Sequence, residues 1–555
     1  MFLKGEDVYM IKRFIEGYKG KTFDIIVIGG GITGAAVAYD AASRGLSVAL
    51  VEKKDYGWAT SAATSKLIHG GLRYLQNVEL SLVRESLRER LVLENIAPNL
   101  VYPIQFLVPG YRDLKRNKWI LRAGLTLYDI LSYDRNKTWD KNKNMPHHSW
   151  LSKSKIMELE PEVRPNQMTG GSIYYDCQSI FPERLTLAFI KSAARHGAET
   201  SNYTKVVDFL FSNDRKVKGV RVEDTLTGNT VDVKGALVIN CAGPWADIVL
   251  NLADKSGNSK HQIKRSEGIH LLTKKFKTQH AVVMWTPSGR HFFTIPWRGY
   301  QLIGTTDKDY EGNPDNYTVT KQSIEGLIKD INDAIGDGNF KYDDVVHAWG
   351  GLRPLVDDQT EGTYESSRKY EIYDNASDGL DGLITVEGGK YTTSRHLAES
   401  VMEMVEKKLN REPKDAITDK TFLAGCEIKD MNTFIVNLKK ELTDFKPITI
   451  DFLARNYGSE STAVFELAKK NPALSEVICE DGQILASIVY AVQNESAKTL
   501  DDILMRRTGI GNIGHPGKKI LEKIAIVAAK ELNWDDAQIK QEIDMADASL
   551  RLPTK

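Results

Sequence analysis

The stretch from Asp24 to Glu52 constrains this chain more tightly than any other. Asp24–Ile28 (DIIVI) is an apolar run rich in β-branched residues, as a strand buried on both faces requires. Gly29-Gly30-Gly31-Ile32-Thr33-Gly34 follows, then an Ala-rich helical segment from Ala35 to Ser43 that Gly45 closes. Ser47–Val51 is a second apolar strand ending at Glu52. Together they form one βαβ unit of about 30 residues. Gly29, Gly31 and Gly34 fit GxGxxG. The first glycine allows a tight turn, the second lets a pyrophosphate approach the backbone, and the third allows close helix–strand packing. The helix start offers N–H groups and positive potential to that phosphate. Glu52, 23 positions after Gly29, suits ribose hydroxyls and disfavours a 2′-phosphate by like-charge repulsion. The fingerprint predicts a dinucleotide site for FAD or NAD rather than NADP, and alone it leaves those two open.

At 555 residues the chain has room for three or four domains of about 150 residues. With 41% hydrophobic residues it can build a large core, which excludes wholesale disorder. Lys+Arg 74 balance Asp+Glu 74, so no global field favours a nucleic acid or an anionic membrane, and any basic site must be local. Cys177, Cys241, Cys426 and Cys479 are widely spaced, which reads as reduced thiols rather than a disulfide framework or metal site. No apolar run reaches the roughly 18–20 residues of a membrane span. Met1–Lys21 carries charges without the apolar centre of a secretory signal. The expected location is cytoplasmic, either soluble or peripheral on the cytoplasmic face of the inner membrane.

Further along, Glu79–Asn95 predicts a helix with Leu80, Val83, Leu87 and Leu91 on one face, and Arg184–Arg195 predicts another. Val217–Val233 reads as a hairpin that feeds the apolar strand Gly235–Asn240 and then Cys241-Ala242-Gly243-Pro244. His291–Ile295 and Tyr300–Gly304 read as strands about a turn at Arg298-Gly299. Asp381–Lys390 is a strand ending in glycines, with a helix through Ala398–Lys408, and the composition is mainly helical from about 413. The expected architecture is α/β. A discontinuous Rossmann-like nucleotide-binding domain (about 20–105, 170–250, 340–412) carries a mixed-sheet substrate domain (about 106–169, 251–339), and residues 413–555 form a C-terminal helical domain.

Thr60–Leu75 (TSAATSKLIHGGLRYL) resembles the flavin-contacting segment of FAD-dependent glycerol-3-phosphate dehydrogenases, and Ile28–Gly45 is similar to that family's N-terminal signature. Ile239–Asp247 (INCAGPWAD), Ile295–Asp307 (IPWRGYQLIGTTD), Trp349–Leu355 (WGGLRPL), Gly388–Arg395 (GGKYTTSR) and Leu500–Gly509 (LDDILMRRTG) extend the resemblance over nearly the whole chain. Departures narrow the group. Ser394 stands where the family more often has an aromatic residue, no cysteine cluster follows residue 413, no DxDxDG calcium loop is present, and the long insertion of some glycerol-phosphate oxidases is not evident. The resemblance is therefore to the aerobic, single-chain bacterial type. It implies the glutathione-reductase/D-amino-acid-oxidase type of fold and FAD as cofactor. The residues implied at FAD are Gly29, Gly31, Ile32, Thr33, Gly34 and Glu52; Thr60, Ser61, Thr64, Ser65, Lys66, Leu67, His69, Gly70 and Gly71; Ala242, Gly243 and Trp245; and Gly389, Lys390, Tyr391 and Thr392.

Oxidising sn-glycerol 3-phosphate to dihydroxyacetone phosphate removes a hydride from C2 and a proton from its hydroxyl. The phosphate favours arginine, whose planar fork binds two oxygens at once. The resemblance places Arg73 and Arg353 at the substrate, and Tyr74 adds a hydroxyl donor. It places His69 and His270 in the same pocket as candidate proton acceptors, a choice the sequence leaves open. Lys390, at a strand-to-helix turn, is implied at the flavin ring, where a cation stabilises developing negative charge. Expected catalytic residues are thus His69, His270, Arg353 and Lys390, with no metal. The electron acceptor is expected to be a quinone, with O2 and an oxidase reaction as the alternative. An amine or amino-acid oxidase of the same fold is a further alternative. Arg112, Lys115, Arg116, Lys118 and Arg122 interleave with Trp119, Ile120 and Leu121, a pattern that suits a peripheral membrane surface or equally the solvated face of an internal helix. A homodimer is compatible with the sequence, and nucleic acid is not an expected partner.

Overall fold

The βαβ unit forms as its pattern dictates and becomes the centre of the first of two sheets. Thr22–Ile28 lies between Val48–Val51 and Thr230–Asn240, with Glu199–Ser201 and Leu383–Gly388 beyond them, all parallel. Tyr370–Asp374 adds an antiparallel edge. Alternate residues sort the two faces. Ile25, Val27, Leu50 and Ile239 meet the helices Ile32–Ser43, Pro182–Arg195 and Ser394–Lys408, whereas Ile26, Ile28 and Val238 meet Val206, Phe209, Val220 and Leu250. Covering both faces is what makes these strands apolar throughout. The computed structural model describes residues 9–113, 117–254, 262–286, 289–335, 338–356 and 370–554.

Helix bounds differ from the sequence expectation by a few residues. The expected Glu79–Asn95 helix runs Leu80–Ile96. The second begins at Pro182, because a proline's fixed φ and missing N–H suit the first helical position. Thr230–Asn240 is a single strand. Its first half pairs back antiparallel with Val217–Asp224, and its second half joins Thr22–Ile28 in parallel.

Among the described residues the second sheet has ten strands, and it departs from the expected domain boundaries. Met168–Ser179 and Val345–Leu355 were assigned by sequence largely to the nucleotide-binding half, yet both lie in this sheet. The reason is their ladder partners. Met168–Ser179 pairs with Val101–Tyr111 from Tyr111↔Met168 to Val101↔Ser179, and Val345–Leu355 pairs with Lys264–Thr273. The helix Lys321–Ile335 covers one face through Ile324, Leu327, Ile328 and Ile331, an i, i+3, i+4, i+7 stripe. The helices Leu80–Ile96 and Lys118–Leu131 pack on the other face.

The C-terminal helices, from Met431–Glu441 to Asp536–Leu550, join the nucleotide half through buried ion pairs. Arg184 meets Glu495 at 2.5 Å, Lys191 pairs with Glu460, and Asp55 receives both Arg506 and Arg507 at 2.7 Å. The two consecutive arginines lie on a π-helical turn, Asp502–Arg507, that brings both to one carboxylate. Among the described residues, no helix is long and apolar enough to cross a membrane.

Candidate active site

One cavity of about 1070 Å³ runs between the two sheets, at the upper limit of ordinary small-molecule pockets. One end is built from backbone. Gly29 (φ +105°) turns the chain, and a Cβ there would lie 2.6 Å from the Cys241 carbonyl oxygen. A Cβ on Gly34 would lie 1.9 Å from the Gly29 carbonyl oxygen, so Gly34 serves helix–strand contact and lies outside the cavity wall. The helix starting at Ile32 has no side-chain cap from Gly31, although Ile32 N–H donates to Ser61 Oγ at 3.0 Å. Glu52 accepts from Gly30 N–H at 2.7 Å and Lys54 N–H at 2.9 Å; burial raises its pKa and these donors oppose the rise. This cradle fits a dinucleotide pyrophosphate and ribose.

The other end is built from side chains that start far apart in sequence. Thr60 Oγ1 donates to Leu352 O at 2.6 Å, Trp349 Nε1 donates to Thr64 O at 3.2 Å, and Ser65 Oγ bonds His270 Nε2 at 2.8 Å. These bonds fasten the TSAATS loop to the strands that carry Arg353 and His270. Arg353 donates to Thr305 Oγ1 at 2.7 Å and Thr306 O at 3.0 Å, with the Asp307 carboxylate at 3.6 Å. Gly268 makes this arrangement possible, because a Cβ there would lie 2.0 Å from Arg353 Nη2. Gly304 does the same for His270, where a Cβ would come within 2.5 Å of the ring. Lys390 lies 3.8 Å from the centre of the Tyr74 ring and 3.3 Å from Ser86 Oγ.

The two histidines have different surroundings. His270 stacks on Trp349, and its Nδ1 has no hydrogen-bond partner among the described residues. Burial, with Arg353 and Lys66 nearby, drives its pKa down to about 3. Burial also lowers His69, but there the Asp176 carboxylate opposes the shift and Lys390 adds to it. Asp176 is fixed by Arg90 at 2.7 Å and the Tyr128 hydroxyl at 2.7 Å, and it accepts from Gly70 N–H at 3.2 Å.

Arg73, Tyr74, Arg353, His69, His270 and Lys390 all line the cavity. So do Gly29, Gly31, Ile32, Thr33, Glu52, Thr60, Ser61, Thr64, Ser65, Leu67, Gly71, Ala242, Gly243, Trp245, Gly389, Tyr391 and Thr392. Lys66 and Gly70, like Gly34, do not. The Lys66 ammonium is buried against Glu183 and between the faces of Trp297 and Trp349, away from the cavity. Gly70 packs against Leu87 and the Tyr128 hydroxyl, where a Cβ would come within 2.4 Å of each. The sequence reading missed His291, which lines the cavity and is held down to about pKa 4 by burial and Arg73. The strand His291–Trp297 was anticipated, but nothing in its pattern says which alternate face meets a ligand. Of the basic interleaved segment, Lys115 and Arg116 lie outside the described residues. Trp119 and Ile120 are 68% and 51% exposed at the start of a helix whose Ile120, Leu121 and Gly124 also line the cavity.

A family profile described as "FAD dependent oxidoreductase" matches residues 24–395, and one for the "C-terminal domain of alpha-glycerophosphate oxidase" matches residues 416–539. The chain is 34% identical to a glycerol-3-phosphate dehydrogenase of Synechocystis sp. over 94% of this chain and 95% of the relative. It is also 34% identical to an aerobic glycerol-3-phosphate dehydrogenase of Bacillus subtilis, over 90% and 89% of the two chains. The glycerol-3-phosphate dehydrogenase of Bacillus halodurans, solved with FAD, superposes with a TM-score of 0.77 at 28% identity over 96% of each chain. With both halves of its cavity matched in this way along nearly its full length, the chain belongs to the FAD-dependent glycerol-3-phosphate dehydrogenase family.

Proposed function

We propose that this protein oxidises sn-glycerol 3-phosphate to dihydroxyacetone phosphate. The observation that carries this reading is that a glycine cradle, two arginines and three histidines share one cavity. FAD, when bound, supplies the acceptor for the hydride that leaves C2. Arg353 and Arg73 hold the phosphate, with Arg353 aimed by Thr305 and Thr306. Holding the phosphate fixes C2, which converts binding into orientation. His69 takes the hydroxyl proton. Its support is electrostatic, since Asp176 favours an imidazolium there whereas Arg353 and Lys66 oppose one at His270. Lys390 places positive charge at the same end of the cavity.

For the electron acceptor, the exposed Trp119 and Ile120 support a quinone taken from a membrane surface. They stand on the helix that walls the cavity, beside the exposed Lys118 and Arg122. The deciding experiment adds glycerol 3-phosphate to the yellow protein without oxygen, then adds either oxygen or a quinone analogue. Bleaching by glycerol 3-phosphate is expected, with fast recolouring by the quinone and slow recolouring by oxygen. Bleaching by glycine or sarcosine alone would overturn the substrate assignment, and fast recolouring by oxygen would make the enzyme an oxidase.

A further inference from the structure

The cavity end beside Glu52 is closed by groups from both halves of the molecule. Lys53 and Trp58 stand on the loop after Val48–Val51, Trp245 on the turn after Thr230–Asn240, and Asp315 on a short 3₁₀ turn, Pro314–Asn316, from the opposite side. All four line the cavity. Lys53 pairs with Asp315 and lies 4.0 Å from the centre of the Trp245 ring. Trp245 Nε1 donates to the same carboxylate oxygen at 3.0 Å. The Trp58 and Trp245 rings sit 5.7 Å apart between centroids.

The two sides of this contact are mounted differently. The Lys53–Trp58 loop is pinned from below, because Asp55 is buried between Arg506 and Arg507 and Gly57 N–H donates to Gly30 O at 2.9 Å. The Asp315 side chain is 52% exposed, so the contact can part on its side. We propose that Asp315 latches Lys53 and Trp245 over the adenosine half of FAD, and that this latch governs how slowly the cofactor leaves. Glu52 marks this as the ribose end, and Lys53 is the next residue. An exposed ion pair alone contributes little. Here one carboxylate takes both an ammonium and an indole N–H, so parting on the Asp315 side breaks two contacts together, while the ammonium still rests on the indole face and keeps both donors placed for reclosing. The inference rests on FAD in this cavity and not on the substrate assignment.

The test dilutes yellow holoenzyme and follows FAD release by the fluorescence of the free cofactor. Asp315→Asn keeps an oxygen for Trp245 but loses the charge, and should release FAD about three- to fivefold faster at low salt. Asp315→Ala should be faster still. Wild-type release should accelerate with ionic strength, since the pair is screened, and Asp315→Asn should lose that dependence. Lys53→Gln should match Asp315→Asn, and the double variant should be no faster than either. Melting at saturating FAD should be unchanged. Wild-type release in a yellow Asp315→Asn protein overturns the latch. So does faster release with lowered melting and an intact salt dependence, which marks a structural defect. A chain that takes up no FAD overturns the cofactor assignment and the latch with it.

Discussion

The cations at the C-terminal junction are buried away from any ligand, whereas those in the cavity line its wall. At the junction Arg506 and Arg507 converge on Asp55, Arg184 meets Glu495, and Lys191 meets Glu460, all buried and all carboxylate-paired. In the cavity, Arg353 is oriented by hydroxyls and carbonyls with Asp307 at 3.6 Å, and Lys390 lies over a phenol ring. Carboxylate pairing lets a charge be buried and so serves structure. The cavity cations also face the ligand space, where hydroxyls and carbonyls help to aim Arg353, and this suits a group that must meet an anionic ligand.

Substitutions at the two regions sharpen that contrast. The largest effect is expected from Asp55→Ala, which takes the carboxylate from the buried Arg507 and leaves Arg506 with Asp501 and Asp502. It should destabilise the protein by about 3–5 kcal/mol in denaturant unfolding. Burial pushes the Asp55 carboxyl up, but Arg507 and Arg506 prevail and hold it near 2. Its folded pKa is therefore below the unfolded value of about 3.9. The stabilisation is fully present above that value and is lost as pH falls toward 2. An Asp55→Ala protein with wild-type stability would erase the distinction drawn here.

In the cavity, His69→Gln should leave folding intact and lower kcat at least about a hundredfold. Because His69 titrates below the ordinary 6.5, the acid limb of kcat/KM should lie under that value, with activity lost as the ring gains a proton. If His270→Gln removes that limb instead, the proton acceptor is misassigned. Gly268→Ala should displace the Arg353 guanidinium, raising KM for glycerol 3-phosphate about tenfold with FAD affinity unchanged, since the added Cβ would overlap Nη2. The smallest effect is expected from Arg221→Ala, which breaks an exposed pair with Asp232 at 2.7 Å and should leave the denaturant midpoint essentially unchanged. A clear loss there would show that carboxylate pairing matters at the surface as much as at the junction.

Much of the cavity was legible because its nucleotide end is local chemistry. The turn at Gly29, the contact at Gly34 and the acid at Glu52 all fall within one βαβ unit. The motifs of the other end were visible as words, but their meeting was not. LDDILMRRTG is explained only once Arg506 and Arg507 are seen to reach Asp55, some 450 residues upstream. Lys66 sits inside the most recognisable flavin-contacting segment and yet turns inward to Glu183, because the backbone bends there through the left-handed region (φ +58°).

The sequence by itself determined the dinucleotide fingerprint, the α/β class and the helical C-terminal region, since these follow from apolar periodicity and glycine spacing over short windows. Only the tertiary structure decided that Met168–Ser179 and Val345–Leu355 join the second sheet, that Asp176 holds the Gly70 N–H next to His69, and that Asp315 meets Lys53 at the cavity wall. Those outcomes depend on which strands find each other as ladder partners and which alternate side chains then face inward. Both are long-range choices that no local pattern encodes.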